Sequence, residues 1–149
     1  MKKLVQTTHD TSMTVIRIIL GVVIFGHGAQ KLFGWFGGHG VSETISMWKQ
    51  WFGMPSIITF LVILGESLGA IALIIGLFGR FMAASIGLIM LGAVFLVHLR
   101  WGFYMNWYSQ PNTGEGFEYH LLVLAMVVAI LIKGSGAYSI DQKLQDKWR

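Results

Sequence analysis

The chain has no cysteine and little charge, and these two shortages decide much of what it can be. Without cysteine it forms no disulfide, holds no thiolate-ligated iron–sulfur cluster or Cys-type zinc, and runs no C-x-x-C redox chemistry. Histidine and carboxylate are then the side chains left to ligate a metal or a haem. Only 12% of its 149 residues are charged, where a soluble domain carries roughly 25%. The period-2 alternation of a membrane barrel is missing, and no flavin-binding motif is present. No small-residue cleavage site follows the first apolar segment, which is therefore read as retained. The net charge of +4 forms no basic stripe outside the apolar segments, so nucleic acid is set aside as a partner.

What is abundant is apolar: 54% of the residues are hydrophobic and the mean hydropathy is +0.64. Four apolar stretches, at 12–33, 57–78, 81–103 and 117–132, each approach the ~20 residues that cross a hydrocarbon core. Backbone groups in lipid must be satisfied within the segment, which makes these stretches helices. The expected fold is all-α: one membrane domain over residues 1–149, a four-helix bundle of antiparallel up-down topology. The Gly79-Arg80 connection is too short for anything but an antiparallel return. Glycines inside the spans, including the Gly65-x-x-x-Gly69 pair, are expected to let helices approach closely within the bundle.

Lys2, Lys3, Arg80, Lys133, Lys143, Lys147 and Arg149 fall on one side, against mainly Lys49 and Arg100 on the other with Lys31 at its edge. The positive-inside rule then puts both termini in the cytoplasm, together with the tail 134–149. The opposite loops carry Trp35, Trp48, Trp51, Trp101, Tyr104, Trp107 and Tyr108, as an interfacial aromatic belt would. The glycine-rich stretch 34–40 around Trp35 and His39 reads as a flexible connector.

An ionisable side chain inside a membrane costs at least ~2.5 kcal/mol, so each one marks a candidate site. At 100° per residue, Arg17, Ile24, His27 and Lys31 share one stripe of the first helix, which is expected to face inward. Glu66 lies near the middle of the second helix, within expected reach of Arg17. The topology puts His27, Lys31, His98, Arg100, Glu118 and His120 in the outer half, above Glu66. Glu118 and His120 are about 200° apart on a helix, so only one faces inward; Glu118 is the expected one.

A quinone head group suits such a cavity, because its carbonyls accept hydrogen bonds and a histidine beside a carboxylate can relay protons to it. His27, His98 and His120 are weaker candidates for haem or a metal, resting on number and depth alone.

The same residues carry a family resemblance. Arg17-Ile-Ile-Leu-Gly21, His27-Gly-Ala-Gln-Lys31-Leu-Phe-Gly34, Gly65-Glu66-Ser-Leu-Gly69, Gly76-Leu-Phe-Gly-Arg80, Gly116-Phe-Glu118-Tyr119 and Gly134-Ser-Gly-Ala-Tyr138-Ser-Ile-Asp141 occur in this order. In that spacing the chain resembles the DoxX family of small four-helix bacterial membrane proteins. Two small departures are Ser135, where the family often has Pro, and Ala137, where it often has Arg or Lys.

The resemblance implies a bacterial inner-membrane protein related to a subunit of thiosulfate:quinone oxidoreductase, linked to redox complexes and oxidative stress. It favours a quinone-linked or redox-accessory subunit whose electrons come from a partner protein. Arg17, His27, Lys31, Glu66, His98 and Glu118 would form the ligand or proton-relay set, with no residue assigned as catalytic. The alternatives are a membrane scaffold, or a small-solute or proton-coupled carrier that would need to be a homo-oligomer for lack of an inverted repeat.

Overall fold

A computed structural model describes residues 2–147, with side chains from residue 4 onward. Arg149 and the side chains of Lys2 and Lys3, counted above in the charge bias, lie outside the described residues.

After a short turn α1 (Lys2–Val5), helix α2 runs over Thr11–Phe33. The Asp10 carboxylate caps its start by accepting from Ser12 N at 2.9 Å, and Gly34 ends it in the left-handed conformation. A 3₁₀ turn at Trp35–Gly37 leads to α3 (Gly40–Phe52), closed by left-handed Gly53. Next come two composite rods. The first joins α4 (Ser56–Leu64) through a π-helical turn at Gly65–Gly69 to α5 (Ala70–Ile75). The second joins α6 (Gly79–Ala93) to a π turn at Val94–His98 and a 3₁₀ turn at Leu99–Trp101. Helix α7 (Glu118–Lys133) and the short polar α8 (Ile140–Lys147) complete the chain.

The described residues are helical with no strand. Three helices are long and apolar enough to cross a membrane: Thr11–Phe33, Ser56–Ile75 and Gly79–Trp101. The fourth expected span corresponds to α7, whose 16 residues rise only about 24 Å against a hydrocarbon core of about 30 Å. Length and composition therefore mark three candidate crossings.

Packing follows the glycines. A Cβ at Gly21 would strike the Ile74 side chain and the Ala70 carbonyl, and one at Gly28 would strike the Glu66 carbonyl. Helix α2 therefore lies backbone to backbone against the Ser56–Ile75 rod and runs antiparallel to it. Gly65 faces Ile89 and Gly87 faces Val127, which seats the Gly79–Trp101 rod between its two neighbours. Gly65 is thus used inside the chain. Leu20, Ile24, Leu73, Ile86, Val127 and Ile130 fill the shared core, while Leu88, Phe95 and Ile132 stay exposed on outer helix faces, as lipid-facing residues would.

Two segments differ from expectation. The first connection is not a loose loop, because α3 packs on both α2 and α4 and buries Thr44. Nor is the segment from residue 134 a free tail. Residues 134–141 thread beneath the helices, with Ser135, Ser139 and Asp141 all buried.

Candidate functional site

The polar residues gather at two ends of the bundle. The terminal pole contains the start of α2, the Gly76–Arg80 turn and residues 133–141. The distal pole contains the end of α2, α3 and the start of α7.

Arg17 belongs to the terminal pole, where it is 1% exposed. Its Nε donates to Ser135 O at 2.8 Å and Nη1 to Leu73 O at 3.0 Å and to Ile74 O. Its Nη2 donates to Tyr138 O at 2.8 Å and, at 3.5 Å, to Ala137 O. A guanidinium has five N–H donors, and here they meet five carbonyls. Arg17 therefore does not pair with Glu66, as the sequence suggested. It lies about 21 Å along α2 from Lys31, fourteen residues at the helical rise.

Close by, Asp141 accepts from Phe78 N (2.7 Å), Gly79 N (2.8 Å) and Ser135 Oγ (2.5 Å), capping α6 across the chain. Gly76 adopts φ +70°, and a Cβ there would press on Ser139 and the Arg17 guanidinium. At the surface of this pole Lys133 Nζ is 2.7 Å from Asp10 Oδ2. The hydrogen bond from Lys133, with that from the Ser12 amide, holds the Asp10 carboxyl below the usual carboxylate range.

At the distal pole, Glu66 is carried by the first π turn and its partner is Lys31, with Nζ 2.5 Å from Oε2. Lys31 Nζ also lies 5.8 Å from the centre of the Trp48 ring of α3. Lys31, without Glu66, borders an open pocket of about 280 Å³ beneath α3, together with Gln30, His39, Met47, Trp48 and Trp51.

His27 does not turn inward with its stripe. Gly28 is the residue locked on Glu66, which swings His27, about 100° away, to an exposed position on the α7 side. There its ring stands 6.2 Å from Tyr119.

The start of α7 reverses a second expectation. Glu118 accepts from Trp107 Nε1 at 2.6 Å and stays half-buried, whereas His120 is 5% exposed and faces the bundle. The chain is held this way because Gly116 N, Phe117 N and Glu118 N donate to the carbonyls of Tyr104, Gly102 and Phe103. A Cβ on Gly116 would collide with those same carbonyls. His98, on the second π turn, meets His120 with ring centres 4.2 Å apart. That contact leaves no room for a haem iron between them. Among the described residues, no three His, Asp or Glu side chains converge to hold a metal.

The distal pole also holds unfinished hydrogen bonding. Thr59 Oγ1, Tyr119 Oη and His120 Nδ1 are the buried side-chain polar atoms without a partner among the described residues. Unpaired buried donors and acceptors are rare and costly, so three at one end of the bundle set that end apart from the terminal pole. Tyr119 and Thr59 carried no signal in the search for charges. Tyr119 could have been found as the neighbour of two residues that were noticed.

Known proteins place the chain. The sequence pattern that defines the DoxX family matches residues 12–99. This chain belongs to the DoxX family. It is 29% identical to the inner membrane protein YqjF of Escherichia coli (strain K12), over 99% of this chain and the whole of that protein. It is 25% identical to "Putative oxidoreductase CatD" of Bacillus subtilis (strain 168), over 85% of this chain and 82% of that protein. No solved structure matches.

The DoxX motifs read from the sequence sort by pole. The segments beginning at Arg17, Gly76 and Gly134 build the terminal lock around Arg17 and Asp141. Those beginning at His27, Gly65 and Gly116 build the distal cluster around Lys31, Glu66 and His120.

Proposed function

We propose that this DoxX protein is a redox-accessory subunit of a bacterial inner membrane, and that its distal pole binds the head group of a quinone. In this reading α7 is a fourth crossing, both termini are cytoplasmic, and the distal pole opens toward the outer leaflet. The observation that carries it is the trio of unpartnered polar atoms. Tyr119 Oη and His120 Nδ1 are buried and unbonded in a pole where Lys31 and Glu66 are already paired to each other. Quinone carbonyls accept hydrogen bonds and quinol hydroxyls donate them, so either form completes groups of this kind. Exposed His27 beside Tyr119 gives a lipid-soluble ring a lateral way in. Electrons come from a partner protein, and the name given to the CatD relative points the same way. A proton-coupled carrier centred on Glu66 is the weaker reading, because Lys31 already neutralises that carboxylate.

The test is binding of a short-chain quinone analogue to the protein in nanodiscs, followed by tryptophan fluorescence. Saturable binding that weakens at least about tenfold in Tyr119→Phe and His120→Gln supports the site. No saturation by the wild type, or equal affinity in both variants, removes it. The orientation is tested separately with single-cysteine variants, since the chain has no cysteine of its own. Lys143→Cys is expected to be shielded from an impermeant thiol reagent added outside intact cells, and Gln110→Cys to react.

A further inference from the structure

The protonatable groups at the distal pole continue past the proposed ligand position. Tyr119 and His120 have ring centres 5.4 Å apart, and those of His120 and His98 are 4.2 Å apart. His98 is half-buried at the end of its π turn, and its Nδ1 lies 2.8 Å from the carbonyl oxygen of Glu115. A carbonyl can only accept, so in the neutral ring this contact puts the proton on Nδ1 and leaves Nε2 to gain and lose one. The two imidazoles therefore form a short bridge. Its inner end is a buried ring with an unpartnered nitrogen, and its outer end is tied to the connection between α6 and α7.

The surroundings decide how many protons the bridge holds. Around it stand His27 and Lys31 of α2, Glu66 of the first π turn, Tyr119 and Glu118 of α7, and Arg100 and Glu115 of the connection. Lys31 and Glu66 neutralise each other, Glu118 is turned to Trp107, and Glu115 Oε2 accepts from Asn106 N. Among the described residues, no carboxylate forms an ion pair with His98 or His120. Two imidazolium rings in contact, with no anion to compensate them, repel strongly, so the pair behaves as one coupled group.

We propose that His98 and His120 form a one-proton port through which the distal site exchanges protons with water at its own face of the membrane. The port rests on the reading of the distal pole as a site for a protonatable head group. The transfer is acid–base only: across one water, an N–H bond breaks on one ring as one forms on the other, and no electron moves. His98 is a positioning and relay residue that need not touch the ligand.

The experiment is ring-nitrogen NMR of the protein labelled with ¹⁵N-histidine in nanodiscs, with His98→Gln and His120→Gln used for assignment. In the wild type, His98 is expected as the Nδ1–H tautomer. The two rings in contact should together hold at most one proton beyond their neutral forms. In His98→Gln, exchange of the His120 ring proton with water should slow at least tenfold. Independent uptake of a full proton by each ring, the opposite His98 tautomer, or unchanged exchange in His98→Gln would overturn the port. The wild-type titration needs no variant to fold and no ligand to bind. A failed quinone analogue would sink the site reading while leaving the titration intact.

Discussion

The two poles meet the same energetic problem in opposite ways. Both bury ionisable groups in a chain built for lipid, where an unsatisfied polar atom is costly. At the terminal pole Arg17 places its five donors on five carbonyls, and Asp141 gathers two amides and a hydroxyl. At the distal pole Lys31 and Glu66 are paired, yet Thr59, Tyr119 and His120 keep unbonded atoms nearby in the same half of the bundle. Completed networks fix architecture and leave nothing for a ligand to do, whereas incomplete ones are held in reserve for it. Arg17 and Asp141, each 1% exposed, thus have no hydrogen-bonding capacity left over for a ligand.

The contrast can be broken most forcefully at Arg17. Arg17→Leu strands carbonyls from two segments, 73–74 and 135–138, and thermal unfolding in detergent is expected to show a loss of more than about 3 kcal/mol. Full retention of stability would mean that the terminal lock is not what holds residues 134–141 in place. Glu66→Gln comes next: it leaves the Lys31 ammonium without its anion, for an expected loss of about 1–3 kcal/mol by the same assay.

Tyr119→Phe sharpens the comparison from the other side. Removing an unpartnered buried hydroxyl is expected to leave stability unchanged within about 1 kcal/mol, or to raise it, while analogue binding falls. A large destabilisation would show that this hydroxyl has a partner after all. The smallest effect concerns Asp10. Its carboxyl is held below its ordinary value in the folded chain, so the Lys133 contact stabilises fully above the unfolded value and fades as pH falls through the folded one. Stability measured across the acid range should lose that component in Asp10→Asn, and added salt should shrink it in the wild type.

Much of the fold was legible because lipid imposes a simple rule. Long apolar runs located three helices to within three residues at each end, and the shorter run located α7. Period and cost also identified Arg17 and Glu66 as buried. Their partners were not legible. Arg17 bonds to Ser135 across 118 positions, and nothing in local spacing selects one carbonyl over another. His27 went astray because a shared stripe cannot say which of its edges meets the neighbouring helix, and Gly28 settles that by contact.

The π turns at Gly65–Gly69 and Val94–His98 break the 100° step on which helical faces are drawn, and each carries an ionisable residue of the distal pole. Helix α3 was hidden for a different reason. Thirteen residues from Gly40 to Phe52, followed by Gly53, are too few to show as a span of about twenty apolar ones. Loop capping decided Glu118 against His120, since the carbonyls of Gly102 to Tyr104 set where α7 begins.

The lock at Arg17 also has a history in time. Its helix is made long before Ser135, Ala137 and Tyr138 exist, so in a nascent chain the guanidinium lacks three of its five carbonyls until residues 135–138 emerge. Ribosomal products that stop short of that stretch keep this charge only partly covered.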